Sequence, residues 1–312
     1  MSARSGLMER EASAERSYDC RVVSDAIVAN PRPASTVVVM RDSCAGPEVF
    51  MVRRHQDTAF MGGAYVFPGG RVDAADHDGS GAWCDGFEHA TAQLSELDAE
   101  VAVAFHVAAA RELFEEAGVL LARDGSGRFV SLTGDEVHAR FKTYRVDVHG
   151  GRATLRSIVE REQLRLALDA LVLFAHWVTP PIDTRQFDTR FFMARVPPDQ
   201  TPAHDETETT HSSWLTPSYA LAQAVGSHIV LPVPTWTTIR ELERFATVDA
   251  AMRWAKGRRV VARMPLLITQ DDGTRLLVIP GDPLYPEENT GDMPMETRFA
   301  FVDQQWRAVS RE

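Results

Sequence analysis

Lysine is nearly missing from this sequence. Lys142 and Lys256 are the only two, so almost all of the 33 basic residues are arginine. Arginine matches phosphate geometry with a bidentate fork, although a coding bias gives the same composition. Cysteine is scarce as well: Cys20, Cys44 and Cys84 are odd in number and share no close spacing, which argues against a disulfide framework or a zinc knuckle and reads as three reduced thiols in a cytoplasmic protein. No apolar run approaches the roughly 18 residues a membrane-spanning helix needs. The first 20 residues alternate charged and small polar side chains, lack the apolar core of a secretory signal, and are expected to fray. The closing residues match no peroxisomal or retention address. A basic excess is lacking too: the net charge is −11, which argues against a nucleic-acid surface and leaves a phosphate-handling site dependent on metal ions or clustered arginines.

Against these absences stands an ordinary globular composition, 44% hydrophobic and 25% charged over 312 residues, enough for one large domain with additions. Residues 34–41, 48–54 and 64–67 read as strands, the first two as a hairpin. The third runs into Pro68-Gly69-Gly70, read as a glycine-rich turn. Residues 73–93 look like a surface excursion. A helix is expected from Asp98 to Gly118, with an alanine-rich middle suited to close packing on a sheet. Helical patterns fill much of 135–170, strands 171–178 and 187–196 follow, and 199–211 reads as an acidic loop. Helices are expected over 217–226 and 235–256, and a late hairpin near 266–279. There is no internal repeat. Strands alternating with helices, with hairpins among them, predict a mixed α/β sandwich.

The chemistry concentrates in Arg111-Glu112-Leu113-Phe114-Glu115-Glu116-Ala117-Gly118-Val119. Glu112, Glu115 and Glu116 share one helix face within a turn and repel one another there. A solvated face with an Arg111–Glu115 pair would read the same taken alone. The flanks, however, are apolar, so the acidic patch interrupts a buried helix, where carboxylates become tolerable once they hold hard cations such as Mg2+ or Mn2+. At Gly69-Gly70 a backbone can approach a diphosphate closely. His55 and His106 read as structural, because magnesium prefers oxygen, and Trp177 and Trp214 as core residues.

The stretch from Arg111 to Val119 resembles the second half of the Nudix hydrolase signature, R-E-U-x-E-E-x-G-U with U a bulky aliphatic residue, at every specified position. The first half departs from it. Six residues after Gly70 stands Asp76, where the family has Glu, and an insertion of about 77–103 separates it from Arg111. The run FMGGAYVFPGGRVDAAD, then HWVTPPIDTRQFDTRFFMARVP, VLPVPTWTTIRELERFA and PGDPLYPE, resembles the nucleoside diphosphate-linked moiety X motif 19 subgroup, whose mammalian members are coenzyme A diphosphatases. The likeness covers roughly residues 34–290.

That resemblance implies an α/β/α sandwich with a mixed sheet, interrupted by an insertion in the signature and followed by a C-terminal helical extension. Residues 21–227 would form the hydrolase domain, with a helical insert at about 135–170, and 228–312 would pack on it, capping the site or building a dimer interface, as many members of the family are homodimers. Glu112, Glu115, Glu116 and the Gly70 carbonyl would hold Mg2+ or Mn2+, and Arg111 would orient the glutamates. The general base varies in the family; Glu208 is favoured, then Glu206, both in the acidic loop, for which a purely solvated role stays open. Gly69, Gly70, Arg53, Arg54 and Arg71 lie beside the expected mouth and could bind substrate phosphates. The implied substrate is a small nucleotide: CoA or acyl-CoA first, then ADP-ribose, NADH or dinucleoside polyphosphates. A non-catalytic nucleotide-binding module is the remaining reading, and neither nucleic acid nor a membrane is expected as a partner.

Overall fold

The structure, a computed structural model, describes residues 31–56, 62–78, 82–181, 185–205, 209–286 and 294–310. Two long strands open it, β1 (Arg32–Ser43) and β2 (Gly46–Arg54), followed by the short β3 (Tyr65–Val66) and β4 (Gly69–Arg71). A 3-10 turn, Ala74–His77, follows β4; the insertion then carries β5 (Cys84–Asp85) and α1 (Phe87–Gln93) and leads into α2 (Ala99–Ala117). Next come β6 (Ala122–Arg123), α3 (Asp135–His149), α4 (Leu155–Arg161), β7 (Arg165–Ala167), β8 (Val172–Val178), β9 (Phe187–Arg195) and β10 (Thr209–Leu215). The rest of the described chain holds α5 (Pro217–Val225), α6 (Val233–Leu242), α7 (Val248–Gly257), β11 (Ala262–Arg263), and the strands β12 (Leu266–Thr269), β13 (Arg275–Val278), β14 (Arg298–Val302) and β15 (Gln305–Ala308).

The main sheet runs β10-β2-β1-β9-β8-β11, with β3 on β2 and β4 on β1. β1 pairs parallel with β9 and antiparallel with β2 and β4, so the sheet is mixed. Side chains alternate across it. Val37, Val39, Phe50 and Val52 pack with Leu113 and Phe114 of α2, whereas Val38, Met40, Val49 and Met51 pack under α5, α6 and α7. Helices therefore cover both faces, giving the expected α/β/α layering. The unbroken run Val37–Met40 is buried because both faces are.

Helix α2 has Asp98 at its N-cap and ends at Gly118, whose φ of +67° is left-handed and whose N–H donates to Phe114 O. Alanine at 102, 104, 108, 109 and 110 lets it lie against the sheet, where Ser35 Oγ donates to Phe105 O at 2.7 Å. Past the helix, Gln200 clips the chain: its Oε1 accepts from Leu120 N, and its Nε2 donates to the carbonyls of Leu120 and Val130, all within 3.0 Å.

Several sequence expectations differ from the structure for identifiable reasons. The excursion at 73–93 contains α1 and β5. The helical pattern at 158–171 stops at Arg161; Gln163 takes a φ of +54°, and Leu164, Leu166 and Leu168 are buried at a spacing of two as β7 forms between β5 and β6. Short apolar runs do not separate the two periods. The acidic loop ends at β10, an edge strand whose Thr-Thr-His-Ser-Ser sequence buries little and so carries no hydrophobic pattern. The helix expected over 235–256 is two, because Thr247 starts α7 as its N-cap, accepting from Ala250 N. The late hairpin is β12–β13, widened by β14 and β15 into four strands. Residues beyond 228 also share the main architecture: β11 pairs with β8, and Ile279 and Phe299 join the core under Val38.

Replacing Gln200 by leucine strands the buried N–H and C=O of Leu120 and the half-buried C=O of Val130 at the exit of α2. The expected loss is about 1–3 kcal/mol for each group that finds no substitute, read as a fall in Tm. An unchanged Tm would show that the clip contributes nothing.

Candidate functional site

The site forms where the last two turns of α2 meet β4. Arg111 lies at its centre, 8% exposed. Its Nε donates to Asp76 Oδ1 and its Nη2 to Asp76 Oδ2, each at 2.9 Å. Nη1 donates to Glu112 Oε1 at 2.8 Å and Glu115 Oε1 at 2.9 Å. Nη2 also donates to the Arg71 carbonyl at 2.8 Å, which ties the helix to β4. Glu116 Oε2 accepts from Gly69 N–H at 3.0 Å. The three glutamates thus gather on one face, each oriented by a named donor.

Gly69 and Gly70 are not a turn but strand residues, paired with Thr36 and Ser35 of β1. Close approach is what demands glycine here. A Cβ on Gly69 would lie 2.4 Å from the Ser35 carbonyl oxygen, and one on Gly70 would lie 2.3 Å from Glu112 Oε1. The helix carboxylates are pressed against bare backbone.

Electrostatics set this patch apart from an ordinary ion-pair network. Burial above all, reinforced by the charges of Glu115 and Asp76 and opposed by Arg111, pushes the Glu112 carboxyl up to about 7. For Arg111 burial works the other way, but the bonds to Asp76 and the charge of Glu112 outweigh it and keep the guanidinium protonated. From α3, Arg145 donates to Glu115 O at 2.7 Å and His149 Nδ1 stands 3.6 Å from Glu115 Oε2. Three carboxylates, those of Asp76, Glu112 and Glu115, therefore share the one Arg111 guanidinium, with Glu116 beside them on Gly69 N–H, a concentration of buried acidic groups that oxygen-seeking divalent cations match. Among the described residues no three His, Cys, Asp or Glu side chains converge on a common point. Glu112 and Glu115 each turn one oxygen to Arg111, and the donor chemistry fits a hard cation while the side-chain arrangement is not a closed cage.

The remaining sequence-predicted residues are distributed unevenly. Arg71 is exposed next to Gly70. Arg53 and Arg54, adjacent on β2, point to opposite faces by strand alternation: Arg54 shares the face of Phe50 and Val52 with α2, and Arg53 the other face, where its Nε donates to Gly63 O at 3.4 Å. Arg53 is thus separated from the glutamates by the sheet, a correction to grouping the pair. Glu206 and Glu208 lie outside the described residues. Their neighbour Asp205 accepts from Thr209 N and Oγ1, shaping the start of β10. His106 is structural, as expected: burial pushes it down to about 4, and its Nδ1 lies 2.8 Å from Ala102 O. Trp177 is buried and Trp214 stacks edge-on to Phe50.

Asp76 is the residue whose part the sequence left open. Its spacing from Gly70 was the signal, and the 27 extra residues obscured it. Asp76 stands just before the insertion and α2 closes it, and the fold brings the two together: Asp76 is 1% exposed, with both its oxygens on Arg111. Arg145 and His149 were not anticipated; nothing in the sequence links α3 to Glu115.

Comparison with known proteins agrees with this geometry. The family model for the NUDT19 Nudix domain matches residues 91–242. A human protein named acyl-coenzyme A diphosphatase NUDT19 is 30% identical over 290 residues, covering 78% of this chain and 74% of its own. Its Xenopus laevis namesake is 26% identical over 277 residues, covering 77% and 72%. The crystal structure of a Nudix hydrolase from Alicyclobacillus acidocaldarius superposes with a TM-score of 0.61 at 26% identity, covering 73% of this chain and 97% of that one. Among the described residues no helix is long and apolar enough to cross a membrane. Signature helix, sandwich and relatives agree: the chain belongs to the Nudix hydrolases, in the NUDT19 group.

Proposed function

We propose that the chain hydrolyses the diphosphate bond of CoA or an acyl-CoA, releasing 3′,5′-ADP and 4′-phosphopantetheine or its acyl form. The surplus of carboxylates around Arg111, pressed against Gly69–Arg71, carries the proposal. The substrate follows from the names of the relatives, both acyl-coenzyme A diphosphatases.

Glu112, Glu115 and Glu116, with the Gly70 carbonyl, are assigned to hold Mg2+ or Mn2+. Bound there, such ions neutralise the diphosphate oxygens and acidify the attacking water. Water attacks one phosphorus in line, the bridging P–O bond breaks, and the bridging oxygen leaves with the other phosphate. Arg111 keeps Glu112 and Glu115 on one face, Asp76 fixes the Arg111 plane through both its oxygens, and Gly69 N–H aims Glu116. Glu208, then Glu206, is assigned to take the proton from the attacking water. Support for that choice is their place in the sequence, between Asp205 and Thr209, the latter pairing with Arg54 at the edge of the sheet. Arg54 and Arg71 are assigned to substrate phosphates, the 3′-phosphate of CoA among them.

Glu115→Gln and Glu116→Gln should each lower kcat by about a hundredfold or more with the Tm retained, since each removes one negative charge from the cation site. Near-normal turnover in both variants contradicts the assignment. Asp76→Asn keeps the shape but loses the charge that pairs with Arg111, and an outer partner of this kind is worth about 10–100-fold. If activity is unchanged, the Asp76–Arg111 pair is not an orienting device. A panel of CoA, ADP-ribose and NADH with Mg2+, read by product chromatography, tests the substrate. Cleavage of CoA alone or preferentially is expected. Preferential cleavage of ADP-ribose or NADH would move the assignment to those substrates, and tight binding without cleavage would favour a binding module.

A further inference from the structure

The signature helix is finished by other parts of the chain. The last carbonyls of an α-helix have no partner within it and must find one elsewhere. In α2 the Phe114 carbonyl accepts from Gly118 N–H. The next, Glu115 O, accepts from Arg145 Nε of α3 at 2.7 Å. Ala117 O accepts from the N–H of Ala203, three residues before Glu206, at 3.0 Å. The turn that carries Glu115 and Glu116 is therefore closed by two segments remote from it in sequence.

Arg145 is fitted to this place. Phe141, Tyr144 and Val148 form the buried stripe of α3, and Arg145 lies beside them. Its side chain passes over Gly118: a Cβ there would lie 3.2 Å from Arg145 Nη1, 3.6 Å from Cζ and 3.8 Å from Cδ. Glycine at 118 thus meets two demands, a left-handed φ of +67° and close passage of the guanidinium. A cation at this end also complements the negative end of the helix dipole. One turn further along α3, His149 Nδ1 stands 3.6 Å from Glu115 Oε2, whereas Arg111 bonds the other oxygen, Oε1. Two residues four apart on α3 therefore address one glutamate of α2, one at its backbone and one at its carboxylate.

We propose that Arg145 is a positioning residue of the cation site. It closes the last turn of α2 at Glu115 and so fixes the directions in which the Glu115 and Glu116 side chains leave the helix. Arg111 and Gly69 N–H hold the two carboxylates themselves; Arg145 holds the backbone that bears them. The inference rests on the proposed cation reading and adds to it a helix, α3, that lies outside the signature. Groups that orient the ligands of a metal site are worth about 10–100-fold in metal affinity or activity. A cap that served the fold alone would change stability and leave both untouched.

The test compares the wild type with Arg145→Met, which keeps the stem and removes the donors, with Arg145→Lys, which keeps a cation able to reach a last-turn carbonyl, and with Glu115→Gln. Four quantities are read: Mn2+ affinity by calorimetry, kcat and KM on the best substrate of the panel above, Tm, and hydrogen exchange of the Gly118 and Ala203 amides. In Arg145→Met the Mn2+ affinity should fall about tenfold and kcat about 10–100-fold with KM little changed, and the two amides should exchange faster. Arg145→Lys should restore most of the affinity and of kcat. If Arg145→Met does not fold, Arg145→Gln takes its place with the same expectations. Wild-type Mn2+ affinity and kcat in the folded variant, while Glu115→Gln loses both, overturns the proposal and leaves the cation site standing; so do amides that exchange at the wild-type rate. No Mn2+ binding by the wild type overturns the cation reading itself, and the proposal with it.

Discussion

The hydrogen bonds of Arg111 hold together everything the site depends on. One guanidinium joins the segment just before the insertion through Asp76, the helix through Glu112 and Glu115, and the sheet through the Arg71 carbonyl. Desolvating so many charges is expensive, and a buried ion network of this kind is weak evidence for stability. Its value is geometric: it fixes where Glu112 and Glu115 sit, beside the Glu116 held by Gly69 N–H, and gathers more carboxylates than one guanidinium can balance. Strongly shifted groups such as Glu112 cluster at functional sites, although structural ion-pair networks shift them as well.

The surrounding fold serves that arrangement. Alanines along α2 and the paired glycines of β4 remove the side chains that would separate helix from sheet, so that carboxylate meets backbone at Gly70 and Gly69 N–H reaches Glu116. Helix α3 closes the other side with Arg145 on the Glu115 carbonyl. The parallel pairing of β1 with β9 and the helices on the far face hold β1 rigid, and β1 is the strand on which β4 is laid.

Local signals carried much of this in the sequence. The mixed sandwich, the span of α2, its glycine stop and the glutamate face follow from residue spacing and from the signature between Arg111 and Val119. Signals that depend on distant partners were hidden. Gly69 and Gly70 look like a turn until β1 is laid beside them. Whether Asp76 bears on the site is decided only by the path of the insertion that follows it. β10 is polar because it is an edge strand, and β7 reads as helix because five residues of alternating leucine fit either period. Arg53 and Arg54 are neighbours in sequence and opposites in space, which a strand guarantees once its face is known.

The central claim is that the carboxylates gathered by Arg111 form a cation site. Titrating the purified chain with Mn2+ at neutral pH and following free ion by electron paramagnetic resonance tests it without any substrate. The account predicts saturable binding in the wild type that weakens by about tenfold or more in Glu115→Gln and in Glu116→Gln, as loss of a direct charged ligand requires. Equal Mn2+ binding by all three proteins, or none by the wild type, would contradict it.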